Sequence, residues 1–259
     1  VDGKNLVFQG GGADITELAW ADTAASLVFR DLPDGPGATS VSDMAIKHPG
    51  SYGRAITVDA GVAILLRVRT DGYIICDPVI HSAEADIDAQ DCDLDRVVIE
   101  DGSDAPSVLR DCTVDYLYAT GGYDWQTGWS ADARIEVVDS SIATLSAMGG
   151  NVAVHGGELD YGMAFGGTHN PLTLTLDEVT SKAVLCQGGG DITLAGSTFD
   201  TLWYYGDWPG HLDMDGCLVR VDMLLGSYDS ALTHSTFGGT FTCSVAGSDS
   251  FTSNIFEHG

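Results

Sequence analysis

One pattern limits this chain more than any other: a unit of about twenty residues, repeated. The segments IDAQDCDLDRVVIEDG from residue 87, SVLRDCTVDYLYATGG from 107, IEVVDSSIATLSAMGG from 135 and VAVHGGELDYGMAFGG from 152 share one layout. So do LTLDEVTSKAVLCQGG from 174, ITLAGSTFDTLWYYGD from 192 and LDMDGCLVRVDMLLGS from 212, with a less clean copy, ALTHSTFGGTFTCSVA, from 231. The starts step by 20, 28, 17, 22, 18, 20 and 19 residues. Each unit has an alternating apolar stretch, a tight corner of Asp, Gly, Ser or Cys, a second alternating stretch and a Gly turn. Alternation with period two makes strands. A unit this short cannot bury its own apolar face, so the units must stack. The corner is too short for a helical crossover. Each unit therefore reads as one coil of a parallel β-solenoid.

The corner stretches LRDCTV (109–114), VVDSSI (137–142) and ITLAGSTF (192–199) resemble the repeat of the pectate-lyase-like superfamily. That resemblance implies an all-β, single-stranded, right-handed parallel β-helix of about 11–12 coils. It covers 87–247 well and 5–86 loosely. The expected layout is one β-helix domain over 1–259, with irregular coils and a cap over 1–86, regular coils over 87–247 and a C-terminal end over 248–259. The Pro-, Gly- and Ser-rich segment 31–55 reads as a loop or cap excursion. The superfamily spans lyases, hydrolases, epimerases and inert surface proteins, so the resemblance implies a fold and leaves the activity open.

Charge narrows the partners. Against 38 Asp and Glu stand 11 Lys and Arg, a formal net charge of −27. Nucleic acid needs a basic footprint, which is missing here. No apolar run approaches a membrane span, so no membrane insertion is expected. The acidic surface suits an extracellular or cell-surface protein. With no initiator Met and no leader, the chain reads as a mature or excised domain. The six cysteines form no CxxC pair, which argues against a zinc site. Cys92 and Cys112 fall in one corner column and read as two stacked, reduced thiols.

The columns carry the functional reading. Near the corner, Leu94, Val114, Ile142, Leu159, Phe199 and Val219 point inward. On the first strand, the outward residues are polar, among them Asp88, Arg110, Glu136, His155, Asp213 and Asp215. The second strand is apolar on both sides. Its inward set includes Val97, Leu117, Leu145, Val184, Leu202 and Tyr204. Its outward set reads Val98, Tyr118, Ser146, Met163, Leu185, Trp203 and Met223, with Glu100, Thr120, Met148, Phe165, Gln187, Tyr205 and Leu225. An inward Asp222 in this reading signals a one-residue slip in that coil. An exposed apolar strip of this extent marks a partner or ligand site, or a homo-oligomer interface.

The variable connections follow the second strand, beside this strip. They carry Asp124, Trp125 and Trp129 in the longest one (123–134), then His169, then Asp207, Trp208 and His211. Aromatic faces stack on sugar rings, which suggests a glycan or surface-protein partner held by Tyr118, Trp125, Trp129, Met163, Phe165, Trp203, Tyr205, Trp208 and His211. The longest connection is expected to fold over the strip as a lid. Catalysis of a lyase or hydrolase type is left open. Its candidates are Asp124, His169 and Asp207, although several coils separate the two carboxylates and glycoside hydrolysis needs them within about 9.5 Å. GYIICDPVIHS (72–82) faintly resembles an alginate-epimerase signature, but Val79 and Ile80 interrupt it. Asp91 stacks near Asp111 and Asp95 near Asp115. Calcium would relieve their repulsion, as would pairing with Arg96 and Arg110.

Overall fold

The computed structural model describes residues 7–19, 26–29, 38–48, 53–59, 61–76, 85–100, 106–124, 129–167, 172–205, 210–226, 229–244 and 248–257. Of 38–39, 121–132 and 248 it describes the backbone alone. The protein is all-β, and its parallel strands wind into a β-solenoid of about nine turns. That is fewer than the 11–12 coils expected, and the stretch 31–55, expected as a loop or cap excursion, carries the strand Ala38–Lys47, which pairs in parallel with Gly61–Cys76.

Each regular coil has two strands. The first strands run Ala85–Gln90, Ser107–Arg110, Arg134–Val138, Gly150–His155, Leu172–Asp177, Asp191–Ala195, His211–Asp215 and Asp229–Thr233. The second strands run Asp93–Ile99, Thr113–Asp124, Ser141–Met148, Glu158–Gly166, Thr180–Gly188, Thr198–Tyr205 and Leu218–Gly226, and in the coil of Asp229–Thr233 the second strand is split into Thr236–Phe237 and Thr240–Cys243. Every coil pairs in parallel with the next, first strand on first strand and second on second. The interior is filled from both sets. Leu109, Val137, Val154, Leu176, Leu194 and Met214 enter from the first strands, and Leu117, Leu145, Val184, Leu202 and Met223 from the second; all are buried.

The corner has a simple chemical basis. At the corner of each coil a residue adopts a left-handed backbone, with φ between +48° and +70°: Asp43, Arg67, Asp91, Asp111, Asp139, Gly156, Glu178, Gly196, Gly216, His234 and Ser253. Gly, Asp and Asn tolerate that conformation best, which accounts for the Asp and Gly of the repeat. The next residue points inward and bonds along the axis. The Val68 N–H donates to Cys92 Sγ at 3.4 Å, and that of Cys112 to Ser140 Oγ at 3.0 Å. Further on, Val179 donates to Ser197 Oγ (3.0 Å), Cys217 to Ser235 Oγ (3.1 Å) and Ser235 to Asn254 Oδ1 (2.9 Å). These hydroxyls and thiols donate in turn to carbonyls two residues back, as Ser140 does to Val138 at 2.8 Å and Cys112 to Arg110 at 3.1 Å. The backbone of a tight corner must find partners somewhere, and a column of Ser, Cys and Asn supplies them. Gly157 interrupts the column, and a Cβ there would come within 2.1 Å of the Ser140 carbonyl oxygen.

Cys92 and Cys112 are stacked in this column, both buried and both free thiols. The hydrogen bond with Cys112, together with burial, pushes the Cys92 thiol up.

The anticipated slip occurs. Phe199 pairs with Val219, but Thr201 pairs with Asp222, so one extra residue enters the coil between them. The bulge exposes Val221 (58%) and buries Met223 and Leu225 completely. Both were expected outward; the inserted residue inverts the parity of everything after it. Leu224 and Gly226 take the outward places instead, beside Trp203 and Tyr205. The next coil matches the bulge with Gly238 and Gly239. A Cβ on Gly239 would come within 2.0 Å of the Val221 carbonyl oxygen, so only glycine fits there.

Candidate recognition face

The second strand bends once more, past the corner. In the coil of Thr198–Tyr205, Phe199 and Leu202 are buried, while Asp200 and Thr201 between them are not. Two successive residues thus point away from the core, and alternation resumes in a new phase. The outcome is a sheet facet three side chains wide. On five consecutive coils it reads Tyr116, Tyr118, Thr120; Thr144, Ser146, Met148; Tyr161, Met163, Phe165; Ala183, Leu185, Gln187; and Thr201, Trp203, Tyr205. None of these fifteen positions carries a formal charge at neutral pH. On a protein of net charge −27, that is a strong local exclusion.

The facet is ordered internally. Tyr116 and Tyr118, two apart on one strand, stack with ring centroids 6.5 Å apart and planes at 12°. The Tyr118 hydroxyl donates to Met148 Sδ on the next coil at 3.4 Å. Trp203 Nε1 donates to Asp222 Oδ2 at 3.2 Å, which fixes the indole against the coil below. Trp203 is 41% exposed, Met148 39% and Tyr161 54%. Met163, Phe165, Leu185 and Tyr205 are half-buried, and Val98 and Ser146 are buried although they point the same way.

Charge returns at the borders. On the coil before Tyr116 lies Arg96, over the Tyr73 ring at 5.0 Å and bonded to its hydroxyl at 2.6 Å. On the coil after Thr201 lies Asp222. Along one flank runs a column with Asp95, Asp115, Asp160, Lys182, Asp200 and Arg220, where Lys182 pairs with Asp160 at 2.7 Å and Arg220 with Asp200 at 3.5 Å. A groove of about 450 Å³ opens on this flank, lined by Lys47, Arg69, Thr70, Asp71, Asp93, Asp95 and Asp115 among others.

The residues expected at the site divide into four groups. Tyr118, Met163, Phe165, Trp203 and Tyr205 share the facet as read from the repeat. His211 lies apart, opening a first strand and facing Asp229 at 3.4 Å. Trp125, His169, Asp207 and Trp208 lie outside the described residues. Asp124 and Trp129 are placed by backbone alone. They pair with each other where Thr113–Asp124 turns back as the antiparallel strand Trp129–Asp132, so the longest connection is a β-hairpin that extends its own coil. The strands Thr113–Asp124 and Thr198–Tyr205 are four rungs apart, about 19 Å at ~4.8 Å per rung.

Sequence reasoning missed Tyr116 and Tyr161 as facet residues. The signal was present: Asp-Tyr recurs at one place in the units from 107 and 152. It went unread because the outward set was begun past the bend, at Val98 and Tyr118, although setting Val114 and Leu117 both inward already leaves Asp115 and Tyr116 outside.

Asp91 and Asp111 occupy the left-handed corner position. Asp95 accepts from the Gly72 N–H at 3.0 Å and faces Arg96 at 3.6 Å. Arg110 pairs with Asp88 at 2.9 Å. Among the described residues, no group of three or more His, Cys, Asp or Glu side chains is placed to hold a metal ion.

No protein-family model matches the chain, and neither a curated protein nor a solved structure matches it significantly.

Proposed function

We propose that this protein is a recognition module that holds a glycan on the outward facet of its second strands, in an extracellular or cell-surface setting. The observation that carries this is the uncharged facet itself: aromatic and Met side chains interleaved with Thr, Ser and Gln, on a surface otherwise dominated by carboxylates. Apolar area interspersed with neutral hydrogen-bonding groups is what a sugar needs, since its ring faces are apolar and its edges carry hydroxyls. Among its described residues the facet offers no carboxylate pair, imidazole or cation, and its ionisable groups are the tyrosines. The resemblance to the pectate-lyase-like superfamily, carried by the corner stretches and the solenoid, adds nothing to this reading.

The test is depletion of the protein from solution by insoluble polysaccharides, comparing wild type with Trp203→Ala and Tyr161→Ala. Both variants should keep the wild-type circular dichroism and lose retention. Retention equal to wild type in both would move the site off this facet. Light scattering separates the competing reading: a stable oligomer broken by the same substitutions would make the facet a contact between copies.

A further inference from the structure

Resting on that reading, we propose that the ligand is an uncharged polysaccharide chain lying along the solenoid axis, across successive coils.

The charge distribution selects the class. An anionic polymer approaching the facet would meet the field of a protein with net charge −27, and the facet holds no cation to offset it. Arg96, at its border, is already engaged by Tyr73 and Asp95. A cationic polymer would be drawn to the carboxylate-bearing flank of Asp95, Asp115 and Asp160 in preference to the one face without charge. A second copy brings its own −27 against the first, so self-association is opposed wherever salt does not screen it. An uncharged chain meets none of these costs, and it finds large apolar side chains beside neutral donors and acceptors.

The dimensions select the direction. From Tyr118 to Trp203 the facet climbs four rungs, about 19 Å at ~4.8 Å each. Across a coil it spans four steps of about 3.3 Å, roughly 13 Å, and then meets the acidic column. Trp203 is locked by Asp222 and Tyr118 by Met148, so the two ends of the long axis are already oriented. A chain laid along the axis meets Tyr118, Met163, Leu185 and Trp203 in turn; one laid across it would leave the facet within a few residues.

Affinity electrophoresis in gels containing hydroxyethylcellulose, soluble xylan, galactomannan, polygalacturonate or alginate tests the class, at low and high salt. Retardation is expected from at least one neutral polymer. It should be little changed by salt and weakened roughly tenfold or more by Trp203→Ala. With oligomers of that polymer, affinity should rise with length and level off once the chain covers the facet. Ala183→Lys, which places a cation in the middle of the facet, should weaken neutral binding and create salt-sensitive binding of polygalacturonate. Stronger wild-type retardation by polygalacturonate or alginate would overturn the uncharged class while leaving a recognition module in place. Affinity independent of oligomer length would overturn the axial direction. Failure of the wild type to bind any of the five polymers, with its circular dichroism intact, would overturn this inference and the glycan reading together.

Discussion

Phe199 and Trp203 lie on one strand four positions apart, a spacing that strict alternation would send to the same side. Phe199 is fully buried, whereas Trp203 is 41% exposed. The double outward step at Asp200 and Thr201 separates them. Truncating each should therefore have different consequences. Phe199→Ala should lower the unfolding free energy by ~3–5 kcal/mol, read from urea denaturation. Trp203→Ala should cost ~1 kcal/mol or less and act on binding instead. Deeper in the same coil, Tyr204 stacks on Cys186. Burial pushes Cys186 up to about 12, and burial with the neighbouring thiol takes Tyr204 up to about 12. Both are raised above their unfolded values of 9.0 and 10.0. Their contribution is thus full below pH 9 and is lost as pH rises toward 12. Thermal melts across that range should show the loss, with a smaller drop in Cys186→Ala.

At the scale of the element, the corner column holds neighbouring coils together. Ser197 accepts from the Val179 N–H and donates to the carbonyls of Ala195 (2.9 Å) and Leu176 (3.2 Å). Ser197→Ala leaves a buried N–H without its acceptor, at a cost of ~1–3 kcal/mol. Ser197→Cys should recover part of that, because Cys92, Cys112 and Cys217 fill the same place in other coils. A denaturation series in which alanine and cysteine are equally tolerated would reduce the column to a packing feature. The bulge at Val221 is the second element-scale device. Gly239→Ala forces a Cβ against the Val221 carbonyl and should destabilise the C-terminal coils. Native-state hydrogen exchange would show faster exchange there than around Leu117.

For the whole molecule, charge governs behaviour. With 38 acidic against 11 basic residues, compaction works against self-repulsion. Exposed pairs such as Lys182–Asp160 and Arg67–Asp43 offset little of it. Moderate salt, which screens surface charge within about 10 Å, should raise the urea midpoint of the wild type. A midpoint that falls with added salt would mean that the attractive pairs dominate. Acid acts on particular carboxylates. Hydrogen bonds from Arg67 hold Asp43 below its ordinary 3.8, and bonds from Thr233 and His234 do the same for Asp215. What they contribute is present above pH ~4 and is lost as pH falls through their lowered values.

The solenoid was readable in the sequence because every coil solves one local problem with one vocabulary. A left-handed residue is most often Asp or Gly, the next supplies a buried acceptor in all but coils such as those of Gly157 and Val179, and alternation assigns the rest. Repetition makes those choices visible, down to the slip at Asp222. The facet's central column, Tyr118, Met163, Leu185 and Trp203, followed from parity alone. Its width needed a further step. Tyr116 and Tyr161 join it through the two successive outward residues that inward Val114 and Leu117 imply, and the pairing of stacked coils then sets them in one column. The placement of Met223 and Leu225 depended likewise on where the extra residue entered, a question of which pairings the neighbouring coils hold in register. The absence of charge across fifteen positions is not legible along the chain. Those residues are scattered from 116 to 205 in the chain, and only parallel stacking brings them onto one surface.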